Sequence, residues 1–461
     1  MKPRGMIMLG FCLVQLAFVP MLPAQGTLAA IRTNGPTSSY LNLVYLSEGY
    51  TSAQLPQFLV DVTNVMNKLM SIPPWNSYSN YFNIYAISVA SAQSGADHYT
   101  PTTNLVDTYF NSTFDSYGIQ RLLTIPPNDH DGNYNDGYGK VDNLLQQLLP
   151  ECDIACLIVN DKTYGGSGGQ YLVTSVNSAS AEIANHEIGH TFAKLGDEYA
   201  DPYPGYPDVE EPNTTTNSTR GVKWNPWILP STLVPTPDVA SNYAVVGLFQ
   251  GAHYHTTGWY RPRHDCKMRT LGVPYCEICA QELVLSIYRT IRPIQSFSPA
   301  ATSFTIGNQA SASFGISILK PPTNSLTVQW FTNGVAVNLA TTTNFAISTA
   351  QFPVGTNEIK TVVHDPTAYV RTDPAHALWQ TNIWKVAVIP APTISNPNLA
   401  GTAFTLSVLT QVGFNYVLEF KNSLTDPVWT PVRTNGGNGG LMNMSNTGLT
   451  APTRFYRVRV Q

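Results

Sequence analysis

The hydrophobic pattern of this 461-residue chain changes near Pro293, and this change constrains the fold more than any other feature. From about Thr27 to Arg292, short apolar strands are mixed with amphipathic helices, whereas no convincing long helix follows Pro293. The second part consists of short stretches of alternating polar and apolar residues separated by turn residues, which is typical of small β-sandwiches. The sequence therefore predicts an α+β domain followed by two small all-β domains of the Ig-like sandwich type.

A strand, a glycine-rich loop, a second strand and a helix follow one another in the first part. Strands are predicted at Ala155–Val159 and Tyr171–Val176, on either side of the sequence YGGSGG at 164–169. A helix is predicted from about Ala179 to Leu195, ended by the glycine that follows. Further strands and helices are predicted at Leu41–Leu46, Thr51–Met70, Phe82–Val89 and Val141–Leu149.

A hairpin and a linker organise the second part. Leu326–Trp330 runs into Asn333-Gly334, the strongest short hairpin signal, and we interpret Trp330 as a core residue rather than a sugar-binding one. Pro-Ala-Pro at 390–392 is interpreted as a linker. The predicted organisation is a signal peptide at 1–24, an α+β domain at 25–294, a β-sandwich at 295–391 and a C-terminal β-sandwich module at 392–461.

The first 24 residues have the pattern of a secretory signal. Lys2 and Arg4 precede an uncharged stretch from Gly5 to Val19, and Ala24 offers a cleavage site. No later segment has 18 consecutive apolar residues, so we expect no stable membrane insertion. The 25 basic and 29 acidic residues give a net charge of −4, which argues against a nucleic-acid binder with a basic face. We expect an exported protein.

The chemistry is concentrated in the sequence His186-Glu187-Ile188-Gly189-His190. Residues four apart on a helix share a face, so His186 and His190 can both bind one Zn²⁺ ion. Glu187 lies beside them and can reach a metal-bound water rather than the metal. Zinc lowers the pKa of such a water, and the carboxylate of Glu187 can remove its proton as a general base. The sequence predicts one catalytic zinc ion.

A catalytic zinc usually takes three protein ligands. The helix spacing identifies the two histidines but not the residue that supplies the third ligand. We expect Gly196 to reverse the chain after the helix by adopting left-handed backbone angles. Asp197 is the first side chain beyond that reversal and is preferred as the ligand. Glu198 would point to the other side of an extended segment and is the alternative. The more distant candidates are His253, His255 and His264, which are interpreted as surface histidines.

The cysteines and several polar side chains leave further alternatives. Outside the signal segment there are five cysteines, and a local disulfide involving Cys266 is favoured over a metal or redox site at Cys276-x-x-Cys279. Residues 129–135 alternate oxygen ligands as a calcium loop does, and a plain polar turn is the alternative. The possible donors to a reaction oxyanion are three tyrosines, namely Tyr199, Tyr260 and Tyr275.

These motifs together resemble the IgA-peptidase-type family of zinc metallopeptidases. The resemblance rests on HEIGHTFAKLGDEY at 186–199, the preceding YGGSGG loop and the block YRPRHDCKMRTLGVPYCEIC at 260–279. Leu43–Tyr50 and Ser94–Asp97 also look like the amino-terminal half of that family. The tail 393–461 resembles the β-rich C-terminal modules of many secreted bacterial proteins.

The resemblance implies a metzincin-like catalytic domain, with His186 and His190 as zinc ligands and Glu187 as general base. It also implies that Met268 forms an apolar turn beneath the zinc. The expected function is therefore that of a secreted, bacterial zinc endopeptidase acting on a protein or peptide, with β-sandwich domains that contact the substrate or the cell surface. The alternatives are a zinc amidase acting on a cell-wall substrate and a non-catalytic adhesin or glycan-binding protein.

Overall fold

The computed structural model describes residues 26–126, 137–307, 311–323 and 326–460. The predicted signal peptide at 1–24 and the candidate calcium loop at 129–135 lie outside these ranges. The described residues include four α-helices, α1 Leu55–Leu69, α2 Tyr138–Leu148, α3 Ser180–Ala193 and α4 Glu277–Thr290. The strands of the first part are β1 Thr27–Arg32, β2 Leu41–Glu48, β3 Phe82–Ser88, β4 Ile154–Val159, β5 Gly166–Ser167, β6 Leu172–Ser175, β7 Phe249–Ala252 and β8 His255–Arg261.

A six-stranded sheet in the order β1-β3-β2-β4-β6-β5 forms the centre of the first part. Its four inner strands are parallel, and the edge strands β1 and β5 are antiparallel to their neighbours. In the register of the sheet, Leu43 lies between Ile84 and Ile154. Strand β2 is buried along its whole length, as expected for a parallel strand covered on both faces.

Two apolar cores lie on opposite faces of this sheet. One contains the inward side chains of α1, α3 and α4 together with one face of β2, β3 and β4. The other contains α2, the opposite face of the same strands and buried residues from the segment 96–125. Helix α3 packs against both α1 and α4, so the predicted metal-binding helix is held in the first core.

Helix α1 begins later than the sequence pattern predicted. Thr51 and Gln54 form a capping box over a short 3-10 turn, and the α-helix starts at Leu55. The buried face of the helix is formed by Phe58, Val62, Val65, Met66 and Leu69, while Leu59 is exposed.

The end of α3 corrects the prediction for Gly196. The residue in the left-handed region is Lys194, with φ 54° and ψ 34°, while Gly196 has ordinary backbone angles. The Leu195 amide donates to the Gly189 carbonyl at 3.1 Å, which completes the helix cap. Gly196 is needed for a different reason, since a Cβ there would lie 2.4 Å from Oε2 of Glu211.

Helix α4 was missing from the predicted elements. Cys276 is its N-cap residue and Cys279 lies in its first turn, and the sequence pattern attributed this stretch to a local disulfide. The helix is buried on most of its surface, with Leu283, Val284 and Ile287 fully enclosed. A helix with apolar residues on most sides has little amphipathic periodicity to reveal it.

The second part is formed by strands, as predicted. Its strands are β9 Ile294–Ser298, β10 Ser303–Gly307, β11 Ser311–Ile318, β12 Thr327–Thr332, β13 Val335–Ala336, β14 Asn344–Ser348, β15 Gly355–His364, β16 Trp379–Ile389, β17 Ile394–Ala400, β18 Ala403–Leu409, β19 Asn415–Lys421, β20 Thr430–Gly436, β21 Leu441–Asn446 and β22 Phe455–Val460. Strands β9–β16 form a five-stranded and a three-stranded sheet around one core, and β17–β22 form two three-stranded sheets around another.

The predicted hairpin is present between β12 and β13. Asn333 and Gly334 both have positive φ, 48° and 79°, as a tight hairpin turn requires, and Thr332 pairs with Val335. Trp330 is fully buried and stacks on Trp384 with the ring centroids 5.7 Å apart. Trp330 is therefore a core residue, as predicted.

A loop between β15 and β16 ties the β-rich part to the first part. The Asp365 carboxylate accepts hydrogen bonds from the hydroxyls of Tyr78, at 2.9 Å, and Tyr288, at 2.6 Å. In the same loop the Arg371 guanidinium lies over the Trp227 ring, 4.2 Å from its centroid. Leu378 belongs to the first core. These contacts join the two parts through buried polar and apolar groups.

Among the described residues, no helix is both long and apolar enough to cross a membrane.

Candidate active site

Helix α3 brings His186 and His190 onto one face, as their spacing predicted. Their Nε2 atoms are 3.1 Å apart. Beyond the end of the helix the chain returns, and Oδ1 of Asp197 lies 3.0 Å from Nε2 of His186 and 3.3 Å from Nε2 of His190. The structure therefore places three potential metal donors in one small triangle, and Asp197 contributes the third corner.

Backbone carbonyls orient both imidazole rings. Nδ1 of His186 lies 2.9 Å from the Lys267 carbonyl, and Nδ1 of His190 lies 2.6 Å from the Leu195 carbonyl. A carbonyl oxygen can only accept, so Nδ1 is the donor in each ring. In the neutral imidazole the Nε2 atom then carries a lone pair, which is the form that binds a metal. Both rings aim that atom at Asp197.

Asp197 is held from several sides although it is almost fully buried. Its Oδ2 accepts a hydrogen bond from the hydroxyl of Tyr254. Its Oδ1 has no hydrogen-bond partner of good geometry in the described structure and faces the two imidazoles. The preceding residue, Gly196, exchanges two backbone hydrogen bonds with the Asn213 side chain, at 2.7 and 2.8 Å. The carboxylate is thus fixed in position by its neighbours.

Glu187 lies on the same face, next to the glycine-rich loop. A carboxylate oxygen of Glu187 lies within 4.8 Å of the donor atoms of both histidines. A Cβ on Gly168 would lie 2.7 Å from Cβ of His190 and 3.1 Å from Oε2 of Glu187. A larger residue would displace this loop from the helix. The glycines at 166 and 168 therefore allow strand β5 to lie directly against α3.

The charges of the site are strongly coupled. Burial disfavours the imidazolium form of His190, but the Asp197 carboxylate outweighs it and raises the pKa of His190 to about 10. Burial likewise opposes ionisation of Asp197, and the two imidazoles overcome it and lower its pKa. Burial raises the pKa of Glu187, although the histidines counteract this shift. A proton and a metal ion compete for the same donor atoms of His186, His190 and Asp197, because a ligand must lose its proton to bind a metal.

Met268 packs against α3 at Gly189. Its side chain is fully buried, and a Cβ on Gly189 would lie 2.6 Å from its sulfur. The Met268 carbonyl accepts a hydrogen bond of 2.8 Å from the amide of Glu198. The turn that carries Met268 therefore supports both the helix and the segment that carries Asp197.

The other predicted residues fall on different sides of the site. Glu198 is fully buried and points away from the histidines, towards Cys279. The ring of Tyr199 stacks on His186 at 6.5 Å. The hydroxyl of Tyr275 donates to the Asn185 carbonyl, so Tyr275 braces the helix rather than facing the donor triangle. Tyr260 pairs through its backbone with Thr215.

The prediction that the distant histidines are surface residues is wrong for His253. This side chain is fully buried between Glu211, whose Oε2 lies 3.0 Å from Nδ1, and the Trp259 ring, with the centroids 3.9 Å apart. The backbone of the same residue supports the segment that carries Asp197, since the His253 amide donates to the Asp197 carbonyl at 2.9 Å. His255 and His264 are partly exposed.

Tyr254 is the site residue that the sequence did not reveal. Both His253 and Tyr254 have positive φ, 51° and 62°, a conformation that is rare for residues with large side chains. This turn directs the Tyr254 hydroxyl onto Asp197. Positive φ angles cannot be predicted from a hydrophobic pattern, so nothing in the sequence indicated that Tyr254 contacts Asp197.

A family model described as IgA Peptidase M64 matches residues 29–244 and 238–287, which together exceed half of the chain. The chain belongs to the IgA peptidase M64 family. It is therefore a peptidase of the metal-dependent kind, with protein as its substrate class, and the histidines of α3 form a candidate metal site. The match covers the part of this M64 peptidase that contains the site and excludes the β-rich part.

No significant match to a curated protein was found. Solved structures similar to parts of the chain include the fibronectin(III)-like modules of Clostridium thermocellum CbhA, at 9% identity over 33% of this chain and 78% of that one, with a TM-score of 0.19. The central fibronectin-III array of RIM-binding protein matches at 17% identity over 33% and 58%, with a TM-score of 0.12. The class 5 fimbriae chaperone CfaA matches at 10% identity over 36% and 98%, with a TM-score of 0.15.

Proposed function

We propose that this M64 peptidase is a secreted zinc-dependent endopeptidase in which His186, His190 and Asp197 hold the ion and Glu187 is the general base. The observation that carries the proposal is the convergence of three donor atoms on one point beside a free carboxylate. The edges of the donor triangle are 3.0, 3.1 and 3.3 Å. A tetrahedral zinc site with bonds of about 2.0–2.1 Å has donors about 3.3–3.4 Å apart.

The chemistry of the donor set also fits zinc. Two imidazole nitrogens with lone pairs and a carboxylate oxygen without a good hydrogen bond face one another in a buried space. These three acceptors repel unless a proton or a cation lies between them. Nitrogen and oxygen donors suit zinc, and three protein ligands leave one position open for catalysis.

Each side chain then has a separate task. When bound, Zn²⁺ acts as a Lewis acid and makes water a nucleophile near neutral pH. Glu187, next to the histidines, accepts the proton from the attacking water on its carboxylate and passes it to the leaving amine nitrogen. The Tyr254 hydroxyl orients Asp197, and the carbonyls of Lys267 and Leu195 orient the two imidazoles.

We extend the proposal to the rest of the chain. Residues 1–24 direct export and are removed, 25–294 form the metzincin-like catalytic domain, and 295–391 and 392–461 form Ig-like accessory domains. The charge pattern of residues 2–24 supports export. The two separate cores of β9–β16 and β17–β22 support two accessory domains, which contact the substrate or the cell surface.

Glu187→Gln tests the mechanism. We expect this variant to bind zinc normally and to lose at least about a hundredfold in peptide hydrolysis, because loss of general-base catalysis typically costs that much. Hydrolysis is measured by incubating the variant with a mixture of proteins and identifying the new chain termini by mass spectrometry. Bound zinc is measured by elemental analysis. Glu282→Gln is the matched control, because it makes the same change at a carboxylate on α4 that is outside the donor triangle. Near-normal proteolysis by a zinc-loaded Glu187→Gln protein would overturn the proposal.

A further inference from the structure

We propose that Glu198, Cys266, Cys276 and Cys279 bind a second divalent metal ion, zinc by its ligand chemistry, in a closed structural site behind the candidate active site. This proposal is independent of the hydrolytic function, because none of its four ligands belongs to the donor triangle of α3. Its role is to fix the segments that carry Asp197 and Met268.

The four side chains offer donors at metal-site spacing. Their ligand atoms all lie within 4.8 Å of one another. Sγ of Cys279 lies 3.6 Å from Sγ of Cys266 and 3.2 Å from Oε1 of Glu198, and Sγ of Cys276 lies 3.9 Å from the same oxygen. Zinc–sulfur bonds of about 2.3 Å in a tetrahedron separate sulfur atoms by about 3.8 Å. The cluster thus needs little movement to enclose an ion.

The environment of Glu198 favours a cation. Its side chain is fully buried, and Oε2 has no hydrogen-bond partner in the described structure. The Asn213 amide, at 2.9 Å, is a neutral partner of Oε1. Within the described residues, no lysine or arginine forms an ion pair with Glu198; Arg261 acts on it from a longer distance and is itself paired with Asp238. A buried carboxylate without a charged partner is costly, and a bound divalent ion would neutralise it.

A disulfide explains the cluster less well. Three thiols meet here, all of them buried and unpaired in the structure, so one disulfide would use two and leave the third beside Glu198. It would also leave Oε2 of Glu198 without a partner. Three cysteines and one carboxylate, with no open position, match the closed four-ligand pattern of structural zinc.

The positions of the ligands explain what the ion would do. Cys276 precedes the first residue of α4 and Cys279 lies in its first turn, while Cys266 is two residues before Met268. Glu198 directly follows Asp197, and the two carboxylates point to opposite sides of the extended segment. One ion would therefore join α4, the Met268 turn and the segment that carries the third donor of the active site.

The test uses the full chain, purified without added reductant and loaded with zinc or cobalt alone. We expect two zinc ions per chain by elemental analysis and sulfur in the zinc coordination shell by X-ray absorption. With cobalt we expect a thiolate-to-metal charge-transfer band, which the sulfur-free donor triangle cannot produce. Intact mass should show no loss of hydrogen from disulfide formation.

Variants separate this site from the candidate active site. The double variant His186→Ala/His190→Ala should lose one zinc and all hydrolysis while it keeps the second zinc and the full charge-transfer band. Cys276→Ser should weaken that band, whereas the matched control Cys152→Ser, a cysteine outside the cluster, should leave it unchanged. If Cys276→Ser does not fold, the X-ray absorption and cobalt spectra of the unmodified chain still test the proposal. A zinc-loaded chain with no sulfur in the coordination shell of its zinc overturns the proposal, and so does a disulfide between two of the three cysteines.

Discussion

Gly189 is the residue at which helix α3 meets Met268. Glycine inside a helix usually costs about 0.5–1 kcal/mol relative to alanine, so its presence in the centre of α3 calls for a reason. The reason is contact, since a Cβ would lie 2.6 Å from the sulfur of Met268 and 3.2 Å from its Cε. Met268 is fully buried and has little freedom to move away.

Gly189→Ala should therefore destabilise the protein in spite of the better helix propensity of alanine. We expect a loss of about 1–3 kcal/mol in the free energy of unfolding, because an extra methyl group overpacks the core. Denaturant unfolding of the zinc-loaded protein measures it. Gly169→Ala is the control, since its Cβ would meet nothing within 4 Å, and a change within about 0.5 kcal/mol is expected there. Equal stability of the two variants would contradict the packing argument.

The side chains of the donor triangle differ in how far the sequence determined them. The spacing of His186 and His190 alone places them together, because helix geometry is local. The preference for Asp197 over Glu198 relied on alternation along an extended segment, and the structure has this alternation. Tyr254 could not be predicted, since it reaches Asp197 through a strained turn far along the chain.

Helix α3 is anchored at its first turn by Glu182. The Glu182 carboxylate accepts a hydrogen bond from the buried ammonium group of Lys267. Its Oε1 lies 2.8 Å from Nζ of Lys68 in α1. The amide of Gly272 also donates to it, at 3.1 Å. Partial burial opposes ionisation, but these donors outweigh it and lower the pKa of Glu182 to about 2. One carboxylate thus joins α3 to α1 and to the Met268 turn.

This pKa predicts a pH dependence for the stability of α3. A carboxylate with a lowered folded-state pKa contributes stability above its unfolded value of about 4.5 and loses it as the pH falls towards about 2. Glu182→Gln should therefore lower stability at neutral pH and flatten its dependence between about pH 4.5 and 2. Denaturant midpoints measured across this range provide the test. An unchanged acid profile in Glu182→Gln would show that the ion pairs contribute nothing.

Among the elements, the central strands and α3 could be predicted while α4 could not. Strand β4 is a continuous apolar run, and β2 is apolar from Leu43 to Leu46, so both are visible without knowledge of the fold. Helix α4 is buried on most sides and has only a narrow polar side that includes Glu282 and Arg289, and its two cysteines were attributed to a local disulfide. The same misreading hid the relation of Cys276 and Cys279 to Glu198.

Asp365 is the main polar contact between the β-rich part and the first part. Its carboxylate accepts hydrogen bonds from the hydroxyls of Tyr78 and Tyr288, and all three side chains are buried. Asp365→Ala should leave two buried hydroxyls without this acceptor, each at a cost of about 1–3 kcal/mol in the free energy of unfolding. Asp365→Asn is the control, because its amide oxygen can still accept one hydroxyl. Calorimetry compares the variants, and an unaltered melting temperature in Asp365→Ala would mean that the contact does not couple the two parts.

The hydrogen bond from the Glu198 amide to the Met268 carbonyl also closes a long loop at its base. The segment 199–265 leaves the site and returns to it, and in between it has only the two short strands β7 and β8 as regular sheet structure. Lengthening a closed flexible loop costs only about 0.6 kcal/mol for each doubling of its length. Insertions and deletions in its largely exposed stretch 229–233, away from Asn213 and from the turn at His253 and Tyr254, can therefore accumulate without displacing Asp197. In an evolving lineage this stretch is the part of the segment that can change its length.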